Sequence, residues 1–241
     1  MFSARRVAAL TGLSAEEWKE LSGAFPELPS AAGARAAARR ILLARLAARR
    51  LSTGRWPARI EGTPPDATPT VYVSAHLGSL QGLRYTLRAR GLAVANVLAS
   101  HNLASRSEPA RQDRLFDAGH PIDFPHVLPA ARVHALRSAL RRGSLILTAD
   151  QPEGRGVDVD FLGGRLRIDP RPFRLARSAH VPSRPAFLTL PRGRWTLTLG
   201  DPLPEDEGSA LDAFARCLRE AVSRSPLDLD GPVYRALVRG R

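Results

Sequence analysis

The feature that most constrains this chain is a change of pattern at Val71. From that residue on, short runs rich in β-branched and apolar residues alternate with stretches whose apolar residues recur at helical spacing. The predicted strands are 71–75, 92–98, 145–150, 157–162, 186–190 and 195–200. The predicted helices are 80–90, 108–118, 131–142, 173–179 and 209–223. Strands that alternate with helices are typical of a sheet that is covered by helices on both faces.

The last two predicted strands depart from this alternation, because only the segment PRGR separates them. So short a connection favours an antiparallel hairpin at one end of the sheet. We therefore predict an α/β fold with a mixed, mostly parallel central sheet flanked by helices, in a domain that spans 61–241.

The N-terminal part of the chain has a different character. Residues 1–50 are predicted to be helical, and the stretch 31–51 is strongly basic. On a helical wheel two leucines of this stretch fall among its arginines, which favours a structural helix over a membrane anchor. Residues 52–70, rich in Pro, Gly and Thr, are predicted to form a linker or loop. We expect 1–60 to be a helical segment that packs on the α/β domain.

The formal net charge of +13 comes almost entirely from arginine, since Lys19 is the only lysine among the 36 basic residues. Two interpretations stay open. One is a genome-wide preference for Arg codons, which scatters arginines over solvated faces; the other is an anionic partner such as a phosphate, an acidic carrier protein or a membrane surface. The chain lacks a basic-plus-aromatic RNA motif, zinc spacing and a clear recognition helix, so no nucleic acid is expected as a partner.

Cysteine usage and hydropathy bear on the cellular location. Cys217 has no second cysteine with which to form an internal disulfide, and its helical context, LDAFARCLRE, predicts a core residue instead of a nucleophile. The chain has no apolar run of about 18 residues and no apolar N-terminal signal region. We therefore expect a cytoplasmic protein without a membrane span, with peripheral binding to the inner face of the membrane as an extension of that expectation.

The first candidate site is the segment SAHLGSLQ, residues 74–81. His76 follows a predicted strand and precedes a predicted helix, a position at which open α/β sheets bind ligands. A helix N-terminus disfavours a protonated imidazole, which would keep the ring available as a base. Gly78 permits the close approach of backbone or ligand. Taken alone, a structural histidine explains this pattern as well as a catalytic one does.

Two further segments point to the same edge of the sheet. Asp150 and Gln151 end a predicted strand in GSLILTADQ, residues 143–151. The segment GVDVDFLGG, residues 156–164, follows, and after it come the helical run FRLARSA and the turn-like HVPSRP. Each of these alone is compatible with an ordinary loop.

In this order and spacing the segments resemble the lysophospholipid acyltransferase superfamily, and within it the bacterial lipid A lauroyl/myristoyl acyltransferase branch. That branch has a strand followed by His-x-Gly, a helix ending in Gly, a strand ending in Asp-Gln, a Gly-x-x-V-x-F-x-G segment, a Leu-Ala helix and a Val-Pro strand start. The resemblance covers roughly residues 70–200. The matching positions are His76, Gly78, Gly143, Asp150, Gln151, Gly156, Val159, Phe161, Gly163, Leu175, Ala176, Val181 and Pro182.

The resemblance implies transfer of a fatty acyl group from a thioester, carried by an acyl carrier protein or coenzyme A, to a hydroxyl or amine of a lipid or small-molecule acceptor. It implies His76 as the general base and no metal, no covalent acyl-enzyme and no cofactor beyond the acyl thioester as co-substrate. The expected catalytic residues are His76, Gln81 and Asp150. The expected substrate-binding residues are Gly78, Arg84, Gln151, Arg155, Phe161, Gly163 and Arg165, the arginines because the donor carries phosphate.

Two positions depart from the family pattern. The family has an acidic residue five positions after the His, where this chain has Gln81. A glutamine can hold the imidazole tautomer but cannot stabilise the imidazolium by charge. The Arg that the family carries in the next strand is also replaced, near Ala99 or Ser100. An alternative is therefore a catalytically weakened relative that binds a lipid, a thioester or a partner protein through the same cleft.

Other chemistries have little support in the sequence. The histidines show no metal-ligand spacing, and neither a dinucleotide-binding loop nor a Walker loop is present. His101 is the one alternative base, because it follows the predicted strand 92–98 and should lie near the same edge as His76. We rank it below His76.

Overall fold

The computed structural model describes residues 58–98, 123–125, 127–130, 132–150, 156–161, 164–191, 194–225 and 228. The predicted helices at 1–50 and 108–118 lie outside these residues, as do Ala99, Ser100 and His101. The division into a helical segment, 1–60, and an α/β domain, 61–241, therefore stays a prediction.

The described residues form strands in two sheets. The strands are β1 Arg59–Gly62, β2 Val71–Ser74, β3 Val94–Leu98, β4 Val127–Pro129, β5 Ser144–Thr148, β6 Val157–Phe161, β7 Gly164–Ile168, β8 Ser183–Thr189 and β9 Thr196–Leu199. Seven of them make the main sheet of this described part, in the order β1-β9-β8-β2-β5-β3-β4. The pair β6–β7 is a separate antiparallel hairpin.

Strand direction confirms the predicted fold class. The strands from β8 through β2, β5 and β3 to β4 run parallel to one another. Strand β9 pairs antiparallel with β8, which confirms the predicted hairpin, and β1 pairs parallel with β9. Strands β2 and β8 are buried along their whole length, as expected for central strands that helices cover on both faces.

Helices flank the strands of the main sheet. Those described are α1 Leu80–Arg88, α2 Val133–Ala139, α3 Arg171–Ala179 and α4 Glu207–Arg224, and each overlaps a predicted helix. Ser79 caps α1 because its side chain accepts a hydrogen bond from Gly82 N, and Asp206 caps α4 through Ser209 N. Within the described ranges, no helix has both the length and the apolar character that a bilayer crossing requires.

The main sheet separates two hydrophobic cores. Val71 and Val73 of β2 face a core that α3 and α4 complete, with Phe214 at its centre. Tyr72 lies between them in sequence, faces the opposite way and packs with Leu83 of α1. This alternation is that of a strand. Because β2 is packed on both faces, its carboxyl end is where this strand can present a polar side chain to a substrate.

Three strands of the structure were not predicted from the sequence. Strand β1 lies within 52–70, a stretch whose composition predicts a loop, and β4 and β7 also lie outside the predicted strands. Strands β1 and β4 are the two edges of the main sheet and have 4 and 3 residues. Strands so short carry too few residues for an alternating pattern to stand out from a loop.

Candidate active site

The pairing of β2 with β5 determines where His76 lies. These strands are parallel neighbours, and Ser74 at the end of β2 pairs with Thr148 at the end of β5. The ladder continues past both ends, because Ala149 N donates to Ser74 O at 2.9 Å. His76 and Asp150 follow their strands at the same offset, so the register brings them side by side at the carboxyl edge of the sheet.

Asp150 holds His76 at two points. Its Oδ1 lies 2.9 Å from His76 Nδ1, and its Oδ2 accepts a hydrogen bond of 2.7 Å from the backbone N–H of His76. The Asp150 side chain is 0% exposed, whereas the His76 side chain is 29% exposed. The carboxylate is therefore inside the protein, and the imidazole that it holds is open to solvent or substrate.

This geometry defines what the imidazole can do. A carboxylate can only accept hydrogen bonds, so the pairing with Asp150 favours the tautomer in which Nδ1 carries the hydrogen. The second nitrogen, Nε2, then has a lone pair that can take a proton from a substrate. A carboxylate in this position can stabilise an imidazolium, as it does in Ser-His-Asp triads. The pairing of His76 with Asp150 is thus an arrangement that a general base requires.

The loop after His76 is bound to the rest of the protein through its backbone. Gly78 N donates to the carbonyl of Asp228 at 2.6 Å, and Ser79 N donates to the carbonyl of Leu188 at 3.1 Å. Since the N–H of His76 is also bound, these three donors are not available to a substrate oxygen. The N-terminus of α1, which begins directly after this loop, carries a partial positive charge that favours anionic groups.

Gly78 is the residue at which the loop comes closest to the sheet. Its φ of +69° lies in the left-handed region, and a Cβ at this position would lie 1.9 Å from Leu188 O. Both observations require glycine here. The close approach that the sequence suggested for Gly78 is thus, in the described residues, an approach to the backbone of β8.

Gln81 lies in the first turn of α1, and one hydrogen bond of its side chain runs along the helix. Its Nε2 donates to Tyr85 Oη at 2.7 Å. Tyr85 is 1% exposed, so this hydrogen bond is anchored in the interior. The acidic partner of the imidazole comes from Asp150, on the neighbouring strand, and position 81 supplies a neutral amide.

The predicted substrate-binding residues lie in different environments. Arg84 is 1% exposed, and its guanidinium lies over the ring of Tyr85 at 4.9 Å, so it belongs to the interior and not to an open cleft. Phe161 is likewise a core residue at 1% exposure. Arg165 is exposed on β7, opposite Asp160 of β6. The remaining three, Gln151, Arg155 and Gly163, lie outside the described residues.

The exposed arginines of the described residues are spread over several surfaces, and a number of them pair with carboxylates. The pairs are Arg142–Asp123 at 3.2 Å, Arg167–Asp158 at 2.9 Å, Arg174–Glu207 at 2.7 Å and Arg224–Glu61 at 2.9 Å. Hydrogen bonds from their arginines hold the pKa of the Asp158 and Glu207 carboxyls below the ordinary values. This distribution accords with arginines on solvated faces, and the anionic partner stays a prediction.

Cys217 has the environment that its helical context predicts. It is half-buried on α4 and packs against the larger core. Burial raises the pKa of its thiol, so the thiol stays protonated and is a poor nucleophile. Among the described residues, no three His, Cys, Asp or Glu side chains lie close enough to hold a metal ion.

Asp228 is a residue of this site that sequence reasoning missed. Besides its carbonyl contact with Gly78, its Oδ2 accepts a hydrogen bond of 2.6 Å from Leu190 N. It lies 38 residues beyond Leu190, in the segment that follows α4, and no motif or periodicity distinguishes it. Only the tertiary fold brings it next to the His76 loop.

Comparison with known proteins gives a distant structural likeness. No protein-family model matches the chain, and no curated protein matches it. The chain is similar to the crystal structure of PlsC, the 1-acyl-sn-glycerophosphate acyltransferase of Thermotoga maritima, with 15% identity over 88% of each chain and a TM-score of 0.41. A likeness of that identity and TM-score does not show a function for this chain.

Proposed function

We propose that this protein transfers an acyl group from a thioester to a hydroxyl or amine acceptor, with His76 as the general base. The observation that carries the proposal is the two-point contact of Asp150 with His76 at the carboxyl edge of the sheet. The order of the surrounding motifs, which resembles that of the lysophospholipid acyltransferases, indicates the reaction class. A buried carboxylate that holds a partly exposed imidazole supplies the base that this reaction needs.

The proposed reaction needs one proton to move twice. Nε2 of His76 removes the proton of the acceptor hydroxyl or amine while the acceptor attacks the thioester carbonyl carbon. The tetrahedral intermediate then expels the thiolate, which takes the proton from the imidazolium and leaves as a thiol. The products are an ester or amide and a free thiol, and no bond to the enzyme forms. Asp150 stabilises the imidazolium during the interval between the two transfers.

The oxyanion of the tetrahedral intermediate needs donors that the His76 loop does not offer. Because the N–H groups of Gly78 and Ser79 are used within the protein, we assign this task to the N-terminal end of α1. Preorganised donors at such an end stabilise a developing negative charge without reorganisation at the moment of reaction.

The acyl donor and the acceptor are proposed as chemical classes only. The resemblance implies an acyl carrier protein or coenzyme A as donor and a lipid or small molecule as acceptor. Both donors carry phosphate, and a chain with a net charge of +13 attracts them at long range. Three arginines were predicted to bind the phosphate of the donor. Of the two that lie in the described residues, Arg84 is buried, and Arg165 is exposed on β7, where a phosphate in solution can reach it.

The alternative, a catalytically weakened relative, rests on Gln81 in place of an acid and on the replaced Arg near Ala99, which lies outside the described residues. The carboxylate of Asp150 beside the imidazole supports the enzyme over this alternative, because it supplies the charge that Gln81 lacks. A binding protein has no need of a buried charge that orients and supports a histidine. The geometry therefore favours the enzyme.

The test is to replace His76 and a matched histidine elsewhere. His76→Gln should lower the rate of thiol release from acyl-coenzyme A and from acyl carrier protein thioesters by about 10²–10⁴-fold, because a general base contributes that much. His134→Gln, on the exposed face of α2, should leave the rate unchanged. Acyl transfer is confirmed by mass spectrometry of the acceptor across a panel of alcohols and amines.

Two results would count against the proposal. If His76→Gln retained full activity, another group would be the base. If the wild type bound acyl thioesters but transferred none to any acceptor, the protein would be a binding protein that uses the same site.

A further inference from the structure

We propose that Asp228 is a positioning residue, which fixes the His76 loop against the end of β8 and so keeps the imidazole in register with Asp150. The proposal rests on the proposed function, because it assigns Asp228 a part in the work of the same base. It is carried by three hydrogen bonds of Asp228 to three different parts of the chain.

The first part of the argument is how Asp228 itself is held. Its backbone N–H donates to Ser225 O at 3.0 Å, just beyond the end of α4. Its carboxylate accepts from Leu190 N at 2.6 Å, the residue that follows β8. A hydrogen bond to an ionised acceptor is stronger than one between neutral groups. The side chain of Asp228 therefore ties the segment after α4 to the end of the sheet.

The second part is what Asp228 holds in turn. Its carbonyl accepts from Gly78 N at 2.6 Å, and Gly78 is separated from His76 only by Leu77, which is 1% exposed. Asp150 holds the loop at His76, and Asp228 holds it at Gly78. The imidazole lies at one end of a short segment whose two ends are both fixed by aspartates from distant parts of the chain.

The third part is why the loop requires this support. Gly78 has a φ of +69°, and its backbone lies against Leu188 O so closely that a Cβ would not fit. Glycine has more conformational freedom to lose than any other residue, so its conformation here depends on the groups that bind it. Without the hydrogen bond from Leu190 N to the Asp228 carboxylate, the backbone carbonyl of Asp228 would move away from Gly78 N. The loop could then shift His76 relative to Asp150.

The experiment compares Asp228→Ala with Asp228→Asn. The alanine variant removes the acceptor for Leu190 N, whereas the asparagine variant keeps an oxygen that can accept the same hydrogen bond without the charge. We expect Asp228→Ala to lower kcat for acyl transfer by about 10²-fold, as for a misplacement of about 1 Å, with KM for the donor little changed. Asp228→Asn should recover most of this loss. Asp212→Ala, an exposed aspartate of α4, is the matched control.

A second readout does not depend on activity. In the wild type the Nδ1 proton of His76, bound to Asp150, should give a low-field proton resonance in NMR spectra. Asp228→Ala should weaken or remove that resonance, and Asp228→Asn should retain it. If the wild type proves inactive with every thioester but the resonance still follows this order, Asp228 positions the loop and the proposed reaction is wrong.

Several results would overturn the positioning role. One is an Asp228→Ala variant with wild-type kcat and an unchanged Nδ1 resonance. Another is an Asp228→Asn variant as impaired as the alanine variant while both melt at the wild-type temperature, since this would mean that the charge and not the hydrogen bond matters. If Asp228→Ala fails to fold, Asp228→Val, which also removes the acceptor for Leu190 N but fills more of the side chain's space, takes its place, and wild-type kcat with an unchanged Nδ1 resonance in that variant has the same meaning.

Discussion

The carboxyl end of β5 and the first turn of α1 both lie close to His76 in the fold, and they differ in what they contribute. The end of β5 contributes Asp150, fully buried and in contact with both the ring and the backbone of His76. The first turn of α1 contributes Gln81, whose amide donates to Tyr85 within the same helix. Asp150, 74 residues away from His76 in sequence, thus supplies a charge at the imidazole, whereas Gln81, five residues away, carries a neutral amide that contacts Tyr85.

The difference has a geometric cause. Parallel strands in register keep their continuations at a fixed spacing of about 5 Å, so residues at equal offsets beyond the ends of β2 and β5 meet. On a helix, by contrast, side chains four apart lie on the same face, and this is the relation of Gln81 to Tyr85. The register of β2 and β5 therefore fixes the Asp150 carboxylate beside His76. The Gln81 amide, by contrast, finds a hydrogen-bond partner one helical turn further along α1.

The largest effect we expect is from removing the charge at the end of β5. In Asp150→Asn one carboxylate oxygen becomes an NH₂ group, which then opposes either the backbone N–H or the Nδ1–H of His76. The ring would adopt the other tautomer and Nε2 would lose its lone pair, so kcat should fall by about 10³–10⁴-fold, as for the corresponding change in serine proteases. Steady-state assays of thiol release measure this, and Asp212→Asn is the control for an exposed aspartate.

Circular dichroism and thermal melting of Asp150→Asn must accompany the assays, since a buried donor without an acceptor costs about 1–3 kcal/mol. A variant that folds and keeps wild-type kcat would show that the carboxylate of Asp150 is structural. The end of β5 would then not be the region that supports the base chemically.

An intermediate effect is expected when the charge is moved from one region to the other. In the double variant Asp150→Asn with Gln81→Glu, the new carboxylate is on α1, where Tyr85 Oη can donate to it. It should recover less than about tenfold of the lost kcat, that is, less than about 1.4 kcal/mol of barrier. Recovery to the wild-type rate would mean that a carboxylate at position 81 can take the place of Asp150. The register of β2 and β5 would then not determine which carboxylate supports the His76 imidazole.

Much of the fold could be predicted from the sequence, because central strands such as β8 contain a short apolar run and amphipathic helices such as α4 have a clear helical period. The edge strands β1 and β4 could not, since a few residues at an edge carry little pattern. The predicted loop at 52–70 shows the error that follows when composition alone is used. There the pairing of β1 with β9 decides the structure of residues 59–62.

The candidate site could be predicted in part for a related reason. Placing His76 and Asp150 at one edge needs only the knowledge that both follow parallel strands. That Asp150 and not Gln81 bears the charge beside the ring depends on the register of two strands, which no local pattern encodes. The contacts of Asp228 with Gly78 and Leu190 depend on three distant segments meeting, so they become visible only in three dimensions.

The smallest effect we expect is from Gln81→Glu in the otherwise unchanged chain. The resemblance to the acyltransferase branch predicts similar or higher activity, because this change restores an acid five residues after the histidine. Here Asp150 already supports the imidazolium, and Tyr85 Oη can donate to the new carboxylate, so the charge stays engaged within α1. We expect kcat to change by less than about tenfold in either direction. The melting temperature should fall slightly, because a charge is added beside a buried tyrosine.

The small effect on kcat has two proposed causes, the support that Asp150 already gives and the hydrogen bond from Tyr85 to the new carboxylate. Tyr85→Phe, alone and together with Gln81→Glu, separates them. Without Tyr85 Oη the new carboxylate loses the donor that holds it along the helix and becomes free to turn toward the loop. If the double variant were then much more active than Gln81→Glu alone, the hydrogen bond to Tyr85 would be what holds the new carboxylate away from the imidazole. If a single Gln81→Glu change raised kcat by about 10²-fold or more, a gain of about 2.7 kcal/mol in transition-state stabilisation, Asp150 would not be the sufficient partner that its geometry indicates.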